Sequence, residues 1–378
     1  MRITSVDTLV VDAERCSWNF VLVDTDEGVR GVGEASLEGK AQSVAACVAD
    51  LARRLVGEDP ARIQHLWQRL FRHSFWRGGV IQMTALSGIE QALWDIKGKV
   101  AGLPVYELLG GACRDRVRLY ANGPRGATSE ELAASARRIA ADGFTGLKMS
   151  GLGPTLLVDG REPLRGAVEA VAAVREAVGP SMRIGIDAHG RLSPAMALEL
   201  ARMVEPYDVW FIEEPVLPEN GDALADVARR SPVPIATGER LFTRWGFRDV
   251  LRHRSAALWQ PDLAHCGGIF EARTIAAMAE MNYAGLAPHN PLGPVNTMAS
   301  AHVAMASPNF VALEYLFDRP SYADSLTGAP LPVERGWLTL PRRPGLGIEV
   351  DVDACRAHPY RPTDQPGWWH EDGSVADW

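Results

Sequence analysis

RIGIDAHGRLSPAMALELARMVEPYDVWFIEE, residues 183–214, holds the pattern that decides the fold. It opens on an apolar run that ends in Asp187, passes through a helical stretch, and closes on a second run that ends in Glu213 and Glu214. Ser193-Pro194 opens the helix with a capping hydroxyl and a proline whose missing N–H costs nothing in a first turn. The same beat extends both ways along the chain. Upstream lie VRLYANG (117–123) and GLKMS (146–150); downstream lie VPIATGE (233–239), LWQPD (258–262), GLAPH (285–289) and FVALE (310–314). From Asp187 the terminal residues Glu213, Glu239, Asp262, His289 and Glu314 follow at intervals of 26, 26, 23, 27 and 25 residues. One strand, one helix and two loops need about that length. Eight such runs predict an α/β fold with a parallel TIM-type barrel, whose chemistry gathers at the C-terminal ends of the strands.

The chain before this region reads differently. Residues 1–12 alternate as a strand, and NFVLVDT (19–25) and VRGVGEA (29–35) flank Asp26-Glu27-Gly28, a hairpin signal. Helical patterns follow near 39–55, 60–73 and 82–101, the last with Ile89, Leu93 and Ile96 on one face and a stop at Gly102 and Pro104. The expected division is an α+β capping domain over 1–112, the barrel over 113–320, and a Pro- and Gly-rich segment over 321–378. That last segment ends in a polar tail with three tryptophans, expected to pack back on the capping domain or on a neighbouring subunit.

Composition narrows the function classes. At 47% hydrophobic and 23% charged residues, the 378-residue chain has the balance of a soluble globular enzyme. The net charge of −8 comes without a basic block, which argues against nucleic acid. No run reaches transmembrane length and MRITSVDTLVVD lacks an apolar signal region, so a cytoplasmic location without membrane contact is expected. Cys16, Cys47, Cys113, Cys266 and Cys355 have no metal spacing and are expected as reduced thiols.

The strand ends carry the chemistry. Asp187, Glu213 and Glu239 end consecutive runs and would face one mouth, where three carboxylates repel one another unless a cation intervenes. An all-oxygen set suits Mg²⁺, with Mn²⁺ as an alternative. His289 and Asp262 end neighbouring runs, so Asp262 is expected to orient the imidazole as a base. His189 lies two residues beyond Asp187 and would enter the cavity opposite His289 as an acid; the alternative is a surface histidine. A base, an acid and a metal that stabilises an enediolate together suit a β-elimination next to a carboxylate. Glu314 would bind an oxygen of the substrate in its neutral form or make a rim ion pair, and Lys148 would add positive charge or sit solvated.

These residues, with FWRGG (75–79), ALWDIKGKVAGLPVYELLGG (92–111), DAHGR (187–191), FIEEPV (211–216), TGER (237–240), QPDLAHCGG (260–268), APHNPLGP (287–294) and HEDGSVADW (370–378), resemble the enolase superfamily. The resemblance lies in its mandelate racemase branch, most closely the galactonate dehydratase group, and runs over nearly the whole chain. It implies a (β/α)₇β barrel under a capping domain built from residues 1 to about 112 plus the C-terminal segment. It implies Asp187, Glu213 and Glu239 as Mg²⁺ ligands, Asp262 and His289 as the base pair, and His189 as the acid that expels a 3-hydroxyl. Glu314, Lys148 and Glu239 would contact the substrate, and loops near Trp18, Glu38, Trp76 and Arg77 would close over it. The implied partner is a small sugar acid, bound by a homo-oligomer. Two positions depart from the pattern. Ser150 replaces the second lysine of a Lys-x-Lys motif, which disfavours a lysine-based racemase. Asn290 stands where the galactonate group has cysteine, which leaves the substrate diastereomer open. The expected reaction is dehydration of an aldonate such as D-galactonate. The alternatives are another sugar acid such as gluconate, an epimerase or racemase, and a sugar-acid binding protein without activity.

Overall fold

Three antiparallel strands begin the chain: β1 (Ile3–Asp12), β2 (Ser17–Thr25) and β3 (Arg30–Glu34), with Gly28 supplying the left-handed turn (φ 77°) between β2 and β3. The computed structural model describes residues 1–73, 75–362 and 367–377. Helices α1 (Ala41–Ala52), α2 (Ile63–Arg72) and α3 (Val80–Ala101) follow, then a short α4 (Val105–Leu108). Between Met83 and Ile96, α3 is buried on every side, because it lies between the small sheet and the barrel. It approaches so closely that a Cβ on Gly33 would stand 1.9 Å from the Gly88 carbonyl oxygen.

The barrel strands are β4 (Val117–Asn122), β5 (Gly146–Met149), β6 (Arg183–Asp187), β7 (Phe211–Glu213), β8 (Ile235–Thr237), β9 (Leu258–Trp259), β10 (Gly285–Leu286) and β11 (Leu313–Leu316). They pair in parallel in that order, and β11 returns to β4. A bridge from Leu286 to Phe310 completes the ring between β10 and the last segment. The connections carry α5 (Ser129–Ala141), α6 (Glu162–Val178), α7 (Pro194–Val204), α8 (Gly221–Arg230), the pair α9 (Thr243–Gly246) and α10 (Arg248–His253), α11 (Ile269–Met281) and α12 (Pro294–Ala306). This is the expected (β/α)₇β order. The capping signals act as read: the Thr128 side chain accepts from Glu131 N–H at 3.2 Å, and Ser193 accepts from Met196 N–H at 3.3 Å. Tyr120, Phe211, Ala236, Leu258, Ala287 and Ala312 form a compact cluster inside the ring, so the barrel is filled rather than hollow. The eighth strand starts later than the run FVALE suggests, which places Glu314 inside β11 and not at its end.

After β11 the chain divides its contacts. A hairpin of β12 (Val333–Glu334) and β13 (Trp337–Leu338) adds antiparallel to the start of β4. Residues 345–359, including α13 (Val352–Ala357), return to the N-terminal unit: Val105 N–H donates to Gly345 C=O and Asp12 N–H to His358 C=O. The tail pairs β14 (Trp368–Trp369) with β15 (Val375–Ala376) and sets Trp368 on Arg191 of the barrel, 4.6 Å from ring centre to guanidinium. Trp378 lies outside the described residues. All five cysteines are free. Among the described residues no helix is long and apolar enough to cross a membrane.

Candidate active site

Parallel pairing sets the C-terminal ends of all eight strands at one mouth. Asp187 and Glu213 are the last residues of β6 and β7 and sit in register, with Glu239 two residues beyond β8. One carboxylate oxygen from each of the three lies within 4.8 Å of the others. Lys148 on β5 reaches the same point, with its ammonium 3.1 Å from Asp187, 2.5 Å from Glu213 and 2.8 Å from Glu314. Gln260 donates to the other Glu213 oxygen at 2.5 Å. Asn122, at the end of β4, donates to Glu314 at 2.6 Å.

On the far side of this cluster His289 donates its Nδ1 proton to Asp262 Oδ2 at 2.8 Å, and its Nε2 stands 3.3 Å from Glu239. His189 follows β6 in a left-handed turn (φ 51°), with Nε2 3.1 Å from Asp187. Its strand and that of His289 are four apart in a closed ring of eight, so the two imidazoles enter from opposite walls.

Burial is the largest influence on every one of these groups, and neighbours decide the net direction. For Lys148, burial would lower the pKa, but Asp187, Glu213 and Glu314 hold it well above the usual lysine range. His289 is likewise held well above its usual value by Glu239, Glu314 and Asp262 against burial. His189 is raised against burial by Asp187 and Glu239. Burial also favours neutral carboxyls, yet Lys148 and His189 keep Asp187 well below its usual value, and Lys148 and His289 keep Glu314 below its own. Glu213 goes the other way: burial and the charge of Asp187 push it well up. Glu239 is raised by burial, with Asp187 adding to it. The mouth therefore gathers Asp187, Glu213, Glu239, Asp262 and Glu314 around Lys148, His189 and His289, with Glu213 and Glu239 pushed toward the neutral form.

The donor set bears on a metal. Glu239 Oε2 is buried and makes no hydrogen bond, with His289 Nε2 at 3.3 Å as its charged neighbour. Three carboxylates with one unsatisfied oxygen fit a hard divalent cation such as Mg²⁺. A second grouping, Glu213 with His289 and Glu314, has similar spacing, but both Glu314 oxygens are taken, Oε1 by Asn122 and Lys148 and Oε2 by Asn290 N–H.

Above the cluster lies a cavity of about 180 Å³. Its lining joins Lys148, Asp187, His189, Glu239 and His289 to Ala13–Cys16 and Glu38 of the N-terminal unit. Arg15, Asn122, Arg125 and Asp318 also line it and escaped the sequence reading. Asn122 had a signal, the polar end of VRLYANG; the other three sit in irregular loops with no periodicity.

Three residues expected to meet the substrate lie away from the cavity in this structure. Trp18 is fully buried on β2 and packs toward Phe20, because β2 is covered along nearly its whole length. Trp76 is 83% exposed with its ring edge-on to Phe75. Arg77 lies over the Phe71 ring at 5.9 Å. None of the three lines the cavity; the loop that reaches it is Ala13–Cys16, just before Trp18.

With this geometry in hand, comparison with known proteins is direct. The chain is 43% identical to a D-galactonate dehydratase of Ralstonia nicotianae over 96% of both chains. It is 41% identical to a D-galactonate dehydratase of Cronobacter sakazakii over 100% of both. Among solved structures, a mandelate racemase/muconate lactonizing enzyme-like protein from Roseovarius superposes with TM-score 0.89 at 36% identity, covering 96% of each chain. A member of the enolase superfamily from Salmonella Typhimurium gives TM-score 0.88 at 31% identity, covering 95% of this chain and 98% of that one. Residues 131–354 match the enolase C-terminal domain-like family, and residues 5–110 match the N-terminal domain of mandelate racemase and muconate lactonizing enzyme. The chain belongs to the mandelate racemase/muconate lactonizing enzyme family of the enolase superfamily.

Proposed function

We propose that this protein is a Mg²⁺-dependent sugar-acid dehydratase, a hydro-lyase whose substrate is D-galactonate. The observation that carries the reading is the pair of histidines on opposite walls of one mouth, each backed by an aspartate, with three carboxylates gathered between them. The choice of substrate is supported by the relatives, which are named D-galactonate dehydratase at 41–43% identity over nearly the full length.

In this reading His289, left neutral once Glu239 is engaged by the metal rather than by the ring, takes the proton from C2 while Asp262 holds it in place. The electron pair released from the C2–H bond forms the C2–C3 double bond as the C3–O bond breaks. His189 protonates the departing hydroxyl, so water leaves and the enol product passes to the 2-keto-3-deoxy acid. Asp187, Glu213 and Glu239 would hold Mg²⁺, which when bound supplies positive charge to the substrate carboxylate. Lys148 and Glu314 hold the same end of the substrate, the ammonium by charge to the carboxylate and the ionised Glu314 by accepting from a hydroxyl.

The test is a turnover screen with Mg²⁺ and a panel of diastereomeric aldonates and aldarates, with product detected as its semicarbazone. Keto-acid from D-galactonate, abolished by EDTA, is the expected result. Product from another acid alone would move the substrate. Solvent deuterium at C2 without loss of water would replace elimination by epimerisation.

A further inference from the structure

Behind the mouth a single buried amide touches both halves of the site. Asn296 stands in the first turn of α12 and is 0% exposed. Its side-chain NH₂ donates to Asp262 Oδ1 at 3.4 Å and to Asn290 Oδ1 at 3.0 Å. Asp262 in turn orients His289, while Asn290 holds Glu314 twice: its N–H donates to Oε2 at 3.0 Å and its side chain to the carbonyl at 3.1 Å. Both donors of the Asn296 amide are thus spent, one toward the base and one toward the carboxyl that meets the substrate.

Asn296 is itself held from the N-terminal unit. Its backbone N–H donates to Glu34 Oε2 at 2.8 Å, and its side-chain oxygen accepts from Gln91 Nε2 at 3.1 Å. Gln91 accepts the Glu34 N–H at 3.0 Å and donates to Leu263 C=O at 3.2 Å, next to Asp262. Glu34 also accepts from Gly293 N–H at 2.7 Å, in the loop that carries His289. Every member of this set is buried, so its geometry is not loosened by water.

We propose that Asn296 is a positioning residue that fixes the Asp262–His289 pair and Glu314 relative to one another, and that Glu34 and Gln91 make the N-terminal unit part of that fixture as well as a cover. Proton transfer and carboxylate binding then share one reference point, and a shift of about 1 Å there is enough to cost a factor of order 10² in rate. The kinetic consequence rests on the dehydratase reading; the structural one does not.

The experiment compares wild type, Asn296→Ala and Gln91→Leu in two ways. With Mg²⁺ and the acid the wild type turns over, kcat is expected to fall by roughly 10–100-fold in Asn296→Ala, and less in Gln91→Leu, with KM little changed. Independently of turnover, the hydrogen-bonded ring proton of His289, identified by its loss in His289→Asn, is followed by proton NMR. It is expected as a discrete low-field resonance in wild type and broadened in both variants. If the wild type dehydrates no sugar acid, the functional reading fails and the resonance still decides the inference. An unchanged resonance and unchanged kcat in Asn296→Ala overturn the proposal. Should that variant not fold, the same unchanged pair in Gln91→Leu overturns it.

Discussion

Two regions of this molecule bury acids, and they treat them in opposite ways. At the seam between the N-terminal unit and the barrel, each carboxylate ends on backbone donors. Glu90 accepts from Ile269 N–H at 2.7 Å and Phe270 N–H at 3.0 Å, at the start of α11, and from Trp94 Nε1 at 2.7 Å. Asp95 accepts from Val32 N–H at 3.0 Å and Leu346 N–H at 2.7 Å, and there alone at the seam a lysine, Lys99, adds an ion pair at 2.9 Å. Glu34 does the same at the start of α12. At the mouth the charged partners are Lys148, His189 and His289, groups that themselves gain and lose protons, and they come beside the backbone donors of His189 and Asn290. The difference separates structural from chemical use of the same side chain. Backbone donors cannot move, so the seam acids serve as fasteners; titratable donors can be exchanged for a ligand.

The contrast breaks most sharply at His289. His289→Asn is expected to lower kcat by about 10²–10⁴-fold, with Mg²⁺ affinity unchanged by calorimetric titration. At the seam the loss is in stability instead. Glu90→Ala leaves three buried donors without an acceptor and is expected to destabilise by roughly 4 kcal/mol in denaturant melts. Equal stability would mean that water replaces the carboxylate.

One seam residue, His302, predicts an acid sensitivity of its own, against the raised pKa values of Glu34, Glu90 and Asp95. His302 on α12 is fully buried between Tyr106 and Leu346, its Nδ1 accepting from Tyr106 N–H at 3.1 Å and its Nε2 donating to Leu346 C=O at 3.1 Å. Burial pushes its pKa down from 6.5 to about 4. Between those values the unfolded chain binds the proton that the folded one refuses. The contribution is therefore complete above pH 6.5 and is lost as pH falls toward 4, by about 3 kcal/mol. His302→Gln should flatten that part of the stability curve.

Glu213→Gln sharpens the comparison from the other side. It is expected to weaken Mg²⁺ binding by about 10–100-fold, while the melting temperature in EDTA does not fall, because burial and Asp187 already oppose charge there. A large fall would make Glu213 a fastener like Glu90. The smallest effect belongs to Arg77→Ala, which is expected to change kcat/KM by no more than about twofold. A larger loss would bring that loop back to the substrate.

The barrel and its acids were legible because they repeat. A strand end every 23–27 residues is a periodic signal, and Asp187, Glu213, Glu239, Asp262 and His289 all sit on it. Glu314 was read in the right place but on the wrong part of its strand, since FVALE joins the ring by a bridge before β11 begins. The cap was harder. Trp18, Trp76 and Arg77 came from resemblance, which marks a loop without saying which of its residues turns inward. On β2 the usual alternation is missing because both faces are covered, so nothing in NFVLVDT tells core from cavity. The seam network was illegible for another reason: Glu34, Gln91 and Asn296 are polar residues in otherwise helical or strand patterns, and only their meeting across more than 200 positions gives them meaning.

The return of residues 345–359 to the N-terminal unit has a consequence for how the molecule is made. Tyr322 donates its hydroxyl proton to Asp12 C=O across 310 positions, and Val11 bridges to Pro359 beside it. β1 pairs with β2 at once, but the segment that covers its far end is made more than 300 residues later. Until that segment emerges, the far end of β1 keeps an open edge. The N-terminal sheet is therefore completed only after the barrel that follows it in sequence.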